Sequence, residues 1–267
     1  MKNKIDFIIT VLNRTDYVEL LVNSINRFVK YPHNIIMITD VSTEEEVKTY
    51  EKLVDIFGKE ENIKIVKSSV KDKTDGYTVK CKIDGRMVGT NSLYKSIALT
   101  EGIKEGDSEY ICLLDYDTIF LDEWVDEILK RLEEEELFFI SHSWHKCGVA
   151  RDQFLIYRRD EFEKHNLYPN CDYIDSTGNF THFAKENNLK YEILSNTFNN
   201  PELRNEHVIN LSYGEQAFTP KTNKPFFYHY GRGSMRDDNL YRVWNNAWTD
   251  YFKQQDSNEK SNWWTTE

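Results

Sequence analysis

Several features that would assign a protein to a common class are absent from this chain of 267 residues. Its four cysteines are scattered and form no Cys-x-x-Cys pair, so we predict neither a zinc site nor a disulfide framework; they are Cys81, Cys112, Cys147 and Cys171. No apolar run approaches the length that crosses a bilayer. No opening segment has the charged, apolar and small-residue parts of a signal peptide. We therefore expect reduced thiols and a cytoplasmic location.

Positive charge is scarce as well. The 34 Lys and Arg residues face 45 Asp and Glu residues, which gives a formal net charge of −11. Proteins that bind a phosphate backbone present a basic surface, so we expect no nucleic-acid partner. A small anionic ligand can still bind through a metal ion and a few local cations. Hydrophobic residues make up 39% of the chain, which suffices for a packed core and argues against disorder.

Short β-branched runs alternate with amphipathic segments in the first part of the chain. Three runs have the length and composition of buried strands, namely residues 5–11, 34–39 and 63–66. A helix follows each of the first two runs. This order predicts a mostly parallel sheet flanked by helices and joined by right-handed crossovers.

Two of these helices carry recognisable start signals. Thr15 or Asp16 is the predicted cap of the first helix. The second opens with the capping box Thr43-Glu-Glu-Glu46. The apolar positions expected to face inward on that second helix are Val47, Tyr50, Val54 and Phe57.

A buried strand followed at once by two carboxylates is the most informative stretch of the sequence. Residues 110–114 are apolar, Asp115 and Asp117 come next, and Leu121 and Trp124 begin a helical spacing. The carboxyl end of such a strand is where open α/β sheets bind ligands. Mg²⁺ or Mn²⁺ bound there uses one or two protein carboxylates, and substrate phosphates complete its shell. The spacing is also common in turns, where one Asp caps the next helix, so both interpretations stay open.

Three segments in this order resemble the GT-A-fold glycosyltransferases of the large family 2-like group. They are IITVLNRTDY at 8–17, IIMITDVST at 35–43 and EYICLLDYD at 109–117. They look like the first strand and nucleotide loop of that family, its second strand and its Asp-x-Asp strand. The second strand commonly ends in Asp-Asp-Gly-Ser, whereas here Thr39 and Val41 replace the first Asp and the Gly, and Asp40 keeps the second Asp. The match is clear over the first half of the chain and weaker beyond it.

The resemblance implies a fold and a reaction. The fold is GT-A, a Rossmann-like and mostly parallel sheet with a C-terminal acceptor-side subregion, in one domain. Residues 1–140 would form the nucleotide-sugar-binding half, and residues 141–267 the acceptor-binding half and a C-terminal helix. The reaction is metal-dependent transfer, with Mn²⁺ or Mg²⁺, from a nucleotide sugar to an acceptor hydroxyl. A UDP-sugar is the preferred donor, and a single displacement would invert the anomeric centre.

The resemblance also assigns roles in the donor site. Thr10 and Leu12 would border the base pocket, and Asp40 would accept a hydrogen bond from N3–H of uracil. Asp115 would contact the ribose or a metal-bound water, beside or within the metal shell, and Asp117 would ligate the metal. Without the family context, Asp40 can equally be a helix cap.

The acceptor side is less well defined. Residues 173–191 look like the family segment that often reads Glu-Asp before a helix. Ile174 replaces that Glu and Asp175 remains, so Asp175 is the predicted general base, and it can also cap the helix that follows. Glu215 is a competing candidate for the base. Trp144 and the histidines beside it form either part of an acceptor wall or ordinary core.

A late segment completes the predicted site. His229 follows an apolar strand and precedes Gly231-Arg-Gly-Ser234, and it looks like the GT-A histidine that completes the metal shell. Backbone amides of this turn together with Arg232 would hold the diphosphate. A lone histidine on an apolar strand can also be a satisfied core residue.

Two other functions stay open from sequence. A catalytically inactive nucleotide- or sugar-binding module would explain the Ile174 replacement. A nucleotidyltransferase also pairs a parallel sheet with carboxylate-bound Mg²⁺. It usually has a Gly-rich basic loop after its first strand, and residues 11–15 contain no glycine.

Overall fold

The structure is a computed structural model, and it describes residues 4–68, 70, 79–82, 85–142, 149–173, 176–196 and 215–231, with a few positions between 242 and 253. The strands are β1 (Ile5–Val11), β2 (His33–Asp40), β3 (Ile63–Ser68), β4 (Tyr110–Asp115), β5 (Thr118–Phe120), β6 (Phe139–Ser141), β7 (Phe154–Arg158), β8 (Glu192–Ile193), β9 (Glu215–Phe218) and β10 (Pro225–His229). The helices are α1 (Thr15–Phe28), α2 (Glu44–Phe57), α3 (Thr90–Lys104), α4 (Val125–Glu134), α5 (Arg159–His165) and α6 (Gly178–Glu186).

The larger of two sheets has seven strands in the order β3-β2-β1-β4-β7-β6-β8. Strands β3, β2, β1 and β4 are parallel, and so are β6 and β8. Only β7 runs antiparallel to its neighbours, β4 and β6. The sheet is therefore mostly parallel, as predicted. From β1 the chain continues to β2 on one side and later to β4 on the other, so the carboxyl ends of β1 and β4 form the switch point where such sheets bind ligands.

The smaller sheet is antiparallel and has the order β5-β10-β9. Strand β5 begins three residues after Asp115, the last residue of β4, so this sheet stands at the carboxyl edge of the larger one. The spacing of Leu121 and Trp124 predicts a helix here, but α4 begins only at Val125. The backbone N–H of Leu121 instead donates to the carbonyl of Phe226, 2.8 Å away, beyond the pairing of β5 with β10.

Alternation along β1 divides the core into two layers, one on each face of the larger sheet. Ile5, Phe7 and Ile9 pack with residues of α1, α2 and α4. Ile8 faces the other way and packs with residues of α3, α5 and α6. The sheet is thus covered by helices on both faces, which explains why its central strands are apolar at nearly every position.

Four aromatic side chains join the two sheets. The ring centroids of Phe120 and Trp124 lie 5.0 Å apart, and Trp124 lies 5.1 Å from Phe154. Phe154 lies 5.5 Å from Phe227 of β10. Fully burying a ring of this kind contributes about 1.5–3 kcal/mol. This packing fixes the smaller sheet against the edge of the larger one.

Of the two helix starts predicted from sequence, the structure confirms the one at α2 and contradicts the one at α1. The capping box of α2 is present, because Thr43 and Glu46 satisfy each other's backbone N–H groups. The prediction for α1 is wrong, since its cap position is Arg14, with no side-chain cap bond. The inward face of α2 is also partly wrong, because Val47 and Val54 are 37% and 38% exposed. The buried stripe runs instead through Thr49, Leu53 and Phe57, which lie four residues apart.

Two further observations concern the cysteines and the lengths of the helices. Cys81, Cys112 and Cys171 are buried and form no disulfide within the described part of the chain, and Cys147 lies outside it. No helix in the part of the chain that the structure describes is both long and apolar enough to span a membrane.

Candidate metal and nucleotide site

Hydrogen bonds hold the two carboxylates in place, with Asp115 at the end of β4 and Asp117 in the turn that follows. Thr118 Oγ1 donates to the carbonyl of Asp115 at 2.6 Å, and the backbone N–H of Tyr230 donates to the carbonyl of Asp117 at 2.9 Å. The element that follows is β5 rather than a helix. The interpretation of either Asp as a helix cap is therefore wrong. The position before α4 is Trp124, which makes no side-chain cap bond.

His229 meets these carboxylates from the other sheet. It is the last residue of β10, and its backbone pairs in register with Thr118 of β5. Its Nε2 atom lies 3.4 Å from Oδ1 of Asp117 and 3.7 Å from Oδ2 of Asp115. One ligand atom from each of the three side chains lies within 4.8 Å of the others. Two carboxylates and an imidazole are a donor set that suits Mn²⁺ or Mg²⁺, so these residues fit the predicted ion.

A cavity of about 270 Å³ opens beside this cluster at the carboxyl ends of β1, β2 and β4. Among the residues that line it are the predicted donor-site residues Thr10, Leu12, Asp40, Asp115 and Asp117. Strand register explains part of this, because Thr10 pairs directly with Asp115. Leu12 is 48% exposed and lies at the rim.

Asp40 is held by Ser42 and does not cap α2. Its Oδ1 atom accepts from the backbone N–H of Ser42 at 2.8 Å and also from the Ser42 hydroxyl. The cap of α2 is Thr43. The helix-cap interpretation of Asp40 is therefore wrong, and its carboxylate lines the cavity instead.

A sequence model of glycosyl transferase family 2 matches residues 86–239, which is more than half of the chain. This chain belongs to glycosyl transferase family 2. The match spans the Asp115–Asp117 turn and His229. No curated protein sequence matches the chain significantly.

This family 2 chain has the GT-A fold, as its likeness to a solved mannosyltransferase structure shows. The mannosyltransferase PcManGT from Pyrobaculum calidifontis, in complex with GDP-Man and Mn²⁺, superposes with a TM-score of 0.51 at 11% identity, covering 72% of this chain and 55% of that one. S. aureus TarS 1-349 gives a TM-score of 0.43 at 15% identity, covering 64% and 50%. In complex with UDP-GlcNAc it gives 0.44 at 13%, covering 67% and 51%. The chain thus spans about half the length of these proteins.

Sequence reasoning missed one cation in the site of this family 2 protein. Lys95 of α3 contacts Oδ1 of Asp115, and its Nζ atom lies 3.1 Å from Oδ2 of Asp152. The signal was present, because Lys95 lies four residues before the fully buried Leu99 and so falls on the inward stripe of α3. A charge on such a stripe needs a partner, and the partners here are carboxylates.

Asp152 is the second residue that sequence reasoning missed. It precedes β7 and is 1% exposed. The hydroxyl of Ser176 donates to its Oδ2 atom, which Lys95 also contacts. Asp152 therefore connects Lys95 with the chain that leads into α6.

Several predicted residues lie outside the part of the chain that the structure describes. These include Asp175, Arg232 and residues 143–148, which contain Trp144. For Glu215 only the backbone is described, and it pairs in register with His229. His142 is fully buried, and its ring centroid lies 6.4 Å from that of His229, so it does not line an open wall. The division into donor and acceptor halves at residue 140 stays a prediction.

Proposed function

We propose that this chain is a metal-dependent glycosyltransferase that moves a sugar from a nucleoside-diphosphate sugar to an acceptor hydroxyl. The observation that carries the proposal is the cluster of Asp115, Asp117 and His229, whose two carboxylates line one cavity with Asp40. The cavity supplies a place for the nucleotide, and the cluster supplies ligands where its diphosphate would lie. Membership of glycosyl transferase family 2 supports the same reaction.

The donor is a UDP-sugar in this proposal. The Asp40 carboxylate faces the cavity and is oriented by two hydrogen bonds from Ser42. A carboxylate accepts the hydrogen bond that N3–H of uracil donates. Thr10 and Leu12 line the same cavity. The PcManGT structure contains GDP-Man, so a guanine nucleotide is the alternative to test.

Asp115, Asp117 and His229 would hold Mn²⁺ or Mg²⁺. When bound, the ion supplies Lewis-acid stabilisation of the departing nucleoside diphosphate. Arg232 and the backbone amides of residues 231–234 are proposed to contact the same diphosphate. The imidazole of His229 favours Mn²⁺ over Mg²⁺.

Transfer needs one base in this proposal. Asp175 takes the proton of the acceptor hydroxyl as that oxygen attacks the anomeric carbon, and the bond from this carbon to the diphosphate breaks. Glu215, whose backbone lies beside His229, is the alternative base. A single displacement of this kind inverts the anomeric centre.

The test measures thermal stability with UDP and with GDP, each with Mn²⁺ and with EDTA. We expect UDP to raise Tm with Mn²⁺ only, because the ion joins the diphosphate to the protein. Asp117→Asn should lose this shift. Asp55→Asn removes an exposed carboxylate on α2 and should keep it. An equal shift in EDTA would contradict the metal site.

A second measurement distinguishes an enzyme from an inactive binding module. Release of UDP from a panel of UDP-sugars should depend on Mn²⁺ and disappear in Asp117→Asn. Metal-dependent UDP binding with no release from any UDP-sugar or GDP-sugar, with or without acceptor glycans, would favour the inactive module.

A further inference from the structure

We propose that Lys95 is the counter-ion of the metal site in the metal-free protein. Its ammonium then pairs with Asp115, and it shifts towards Asp152 when a divalent ion binds. Asp152 is then a positioning residue for Lys95. The inference rests on the proposed function, because the ion is the one assigned above to Asp115, Asp117 and His229.

The two oxygens of Asp115 face different partners. Oδ1 contacts the ammonium of Lys95, and Oδ2 lies 3.7 Å from Nε2 of His229. A divalent ion bound between Asp115, Asp117 and His229 would therefore share one carboxylate with an ammonium group. Two cations on one carboxylate repel each other, and the repulsion is stronger in a largely buried site than in water. The side chains of Lys95 and Asp115 are only 24% and 15% exposed, so solvent screens this repulsion weakly.

Asp152 offers the displaced ammonium a second place. Its Oδ2 atom already lies 3.1 Å from Nζ of Lys95, so a small side-chain rotation suffices. Its Oδ1 atom is buried, and the structure gives it no hydrogen-bond partner among the residues described. A buried carboxylate oxygen without a donor is costly. A closer approach of Lys95 would supply that donor. The move would therefore remove the repulsion between the two cations at Asp115 and give Oδ1 of Asp152 a hydrogen bond.

The charges of the site agree with this exchange. Asp115, Asp117 and Asp152 carry three negative charges, and Lys95 is the only ammonium paired with them within the described ranges. Lys95 thus reduces the repulsion among the carboxylates when the ion is absent. Because it can shift towards Asp152, it does not prevent the ion from binding.

The exchange predicts opposite effects of two substitutions on Mn²⁺ affinity, measured by titration without nucleotide. Lys95→Gln removes the competitor, so Mn²⁺ should bind about tenfold more tightly, within the usual range of coupling between sites. Asp152→Asn removes the second place for Lys95, so Mn²⁺ should bind about tenfold more weakly. Lys104→Gln, at the exposed end of the same helix, should match the wild type.

The double variant separates positioning from a simple loss of negative charge. If Asp152 acts through Lys95, then Asp152→Asn added to Lys95→Gln should change the Kd by less than about twofold. If Asp152 acts only by its own charge, the full tenfold loss should persist in the double variant, which would overturn the positioning role.

Unchanged or weaker Mn²⁺ binding in Lys95→Gln would overturn the proposal. This variant also decides the question if Asp152→Asn does not fold, because damage to the fold does not tighten binding. Failure of the proposed function gives a different result. In that case the wild type itself binds no Mn²⁺, or Asp117→Asn binds it equally well.

Discussion

The imidazole of His229 and the carboxylate of Asp117 approach to 3.4 Å, although one ends β10 and the other lies in the turn after β4. The antiparallel pairing of β5 with β10 brings them together, because it sets His229 opposite Thr118. The Tyr230 N–H bond to the carbonyl of Asp117 continues the same ladder. The three candidate ligands therefore depend on the smaller sheet, which ties a late segment of the chain to the edge of the central one.

Replacing His229 tests whether this strand supplies a ligand. We expect His229→Gln to weaken Mn²⁺ binding by about tenfold or more, because two carboxylates remain but the third ligand is lost. His182→Gln is the control, since His182 is a partly exposed residue of α6 that contacts Glu186. Equal Mn²⁺ affinity of His229→Gln and the wild type, by titration without nucleotide, would remove His229 from the site.

The sequence predicts the parts of this site that local pattern determines. An apolar run at residues 110–114 followed by Asp115 and Asp117 marks a buried strand and its carboxyl end, and β4 extends one residue further, to Asp115. The box Thr43 to Glu46 is equally local, and it forms as predicted. The resemblance to family 2 added His229, which no spacing rule connects with a carboxylate so far away in the sequence.

The rest depends on tertiary packing. Strands β5 and β9 are short, and each exists because it pairs with β10. Leu121 and Trp124 have helical spacing but are buried by the joining of the two sheets. Lys95 and Asp152 come from separate elements, so their pairing is a property of the folded chain and has no sequence spacing.

A buried ionic network at the opposite edge of the sheet holds the core together. Asp6 lies inside β1 and is fully buried. Its carboxylate accepts from Nη2 of Arg159, from the backbone N–H of Ser108 and from Nδ2 of Asn34, each at 2.9 Å. The guanidinium of Arg159 also donates to the carbonyl of Ser108 at 2.7 Å. All of these contacts lie far along β1 from the carboxyl end that carries the site.

Removing the cation of this network should destabilise the protein without changing the site. We expect Arg159→Leu to lower the free energy of unfolding by about 3–5 kcal/mol, because the Asp6 charge stays buried without its partner. The neighbouring Arg158 pairs with Asp160 at the surface, so Arg158→Leu should cost at most about 1 kcal/mol. Urea unfolding of both variants gives the comparison. A loss of similar size in the two variants would show that the network does not stabilise the core.

His33 should make stability depend on pH. Its Nδ1 atom lies 2.9 Å from the carbonyl of Tyr31 and donates to it in the neutral ring. Its Nε2 atom is buried and makes no hydrogen bond within the described part of the chain. Burial lowers the pKa of His33 below its ordinary value of 6.5, and the nearby charge of Lys4 lowers it further, although the bond to Tyr31 opposes the shift. Protonation would place a charged N–H group where no acceptor meets it.

The direction of this pH dependence follows from the number of protons bound in the folded and unfolded states. As the pH falls below about 6.5, the unfolded chain takes up a proton at His33 before the folded protein does, so the free energy of unfolding decreases. His33→Asn keeps an amide donor for Tyr31 and does not titrate, so its stability should decrease less between about pH 7 and pH 5. His182→Asn removes a partly exposed histidine and should keep the steeper dependence of the wild type. Urea unfolding at several pH values in EDTA measures the free energy of unfolding of each variant. An equal decrease in His33→Asn and the wild type would show that His33 is not the titrating group.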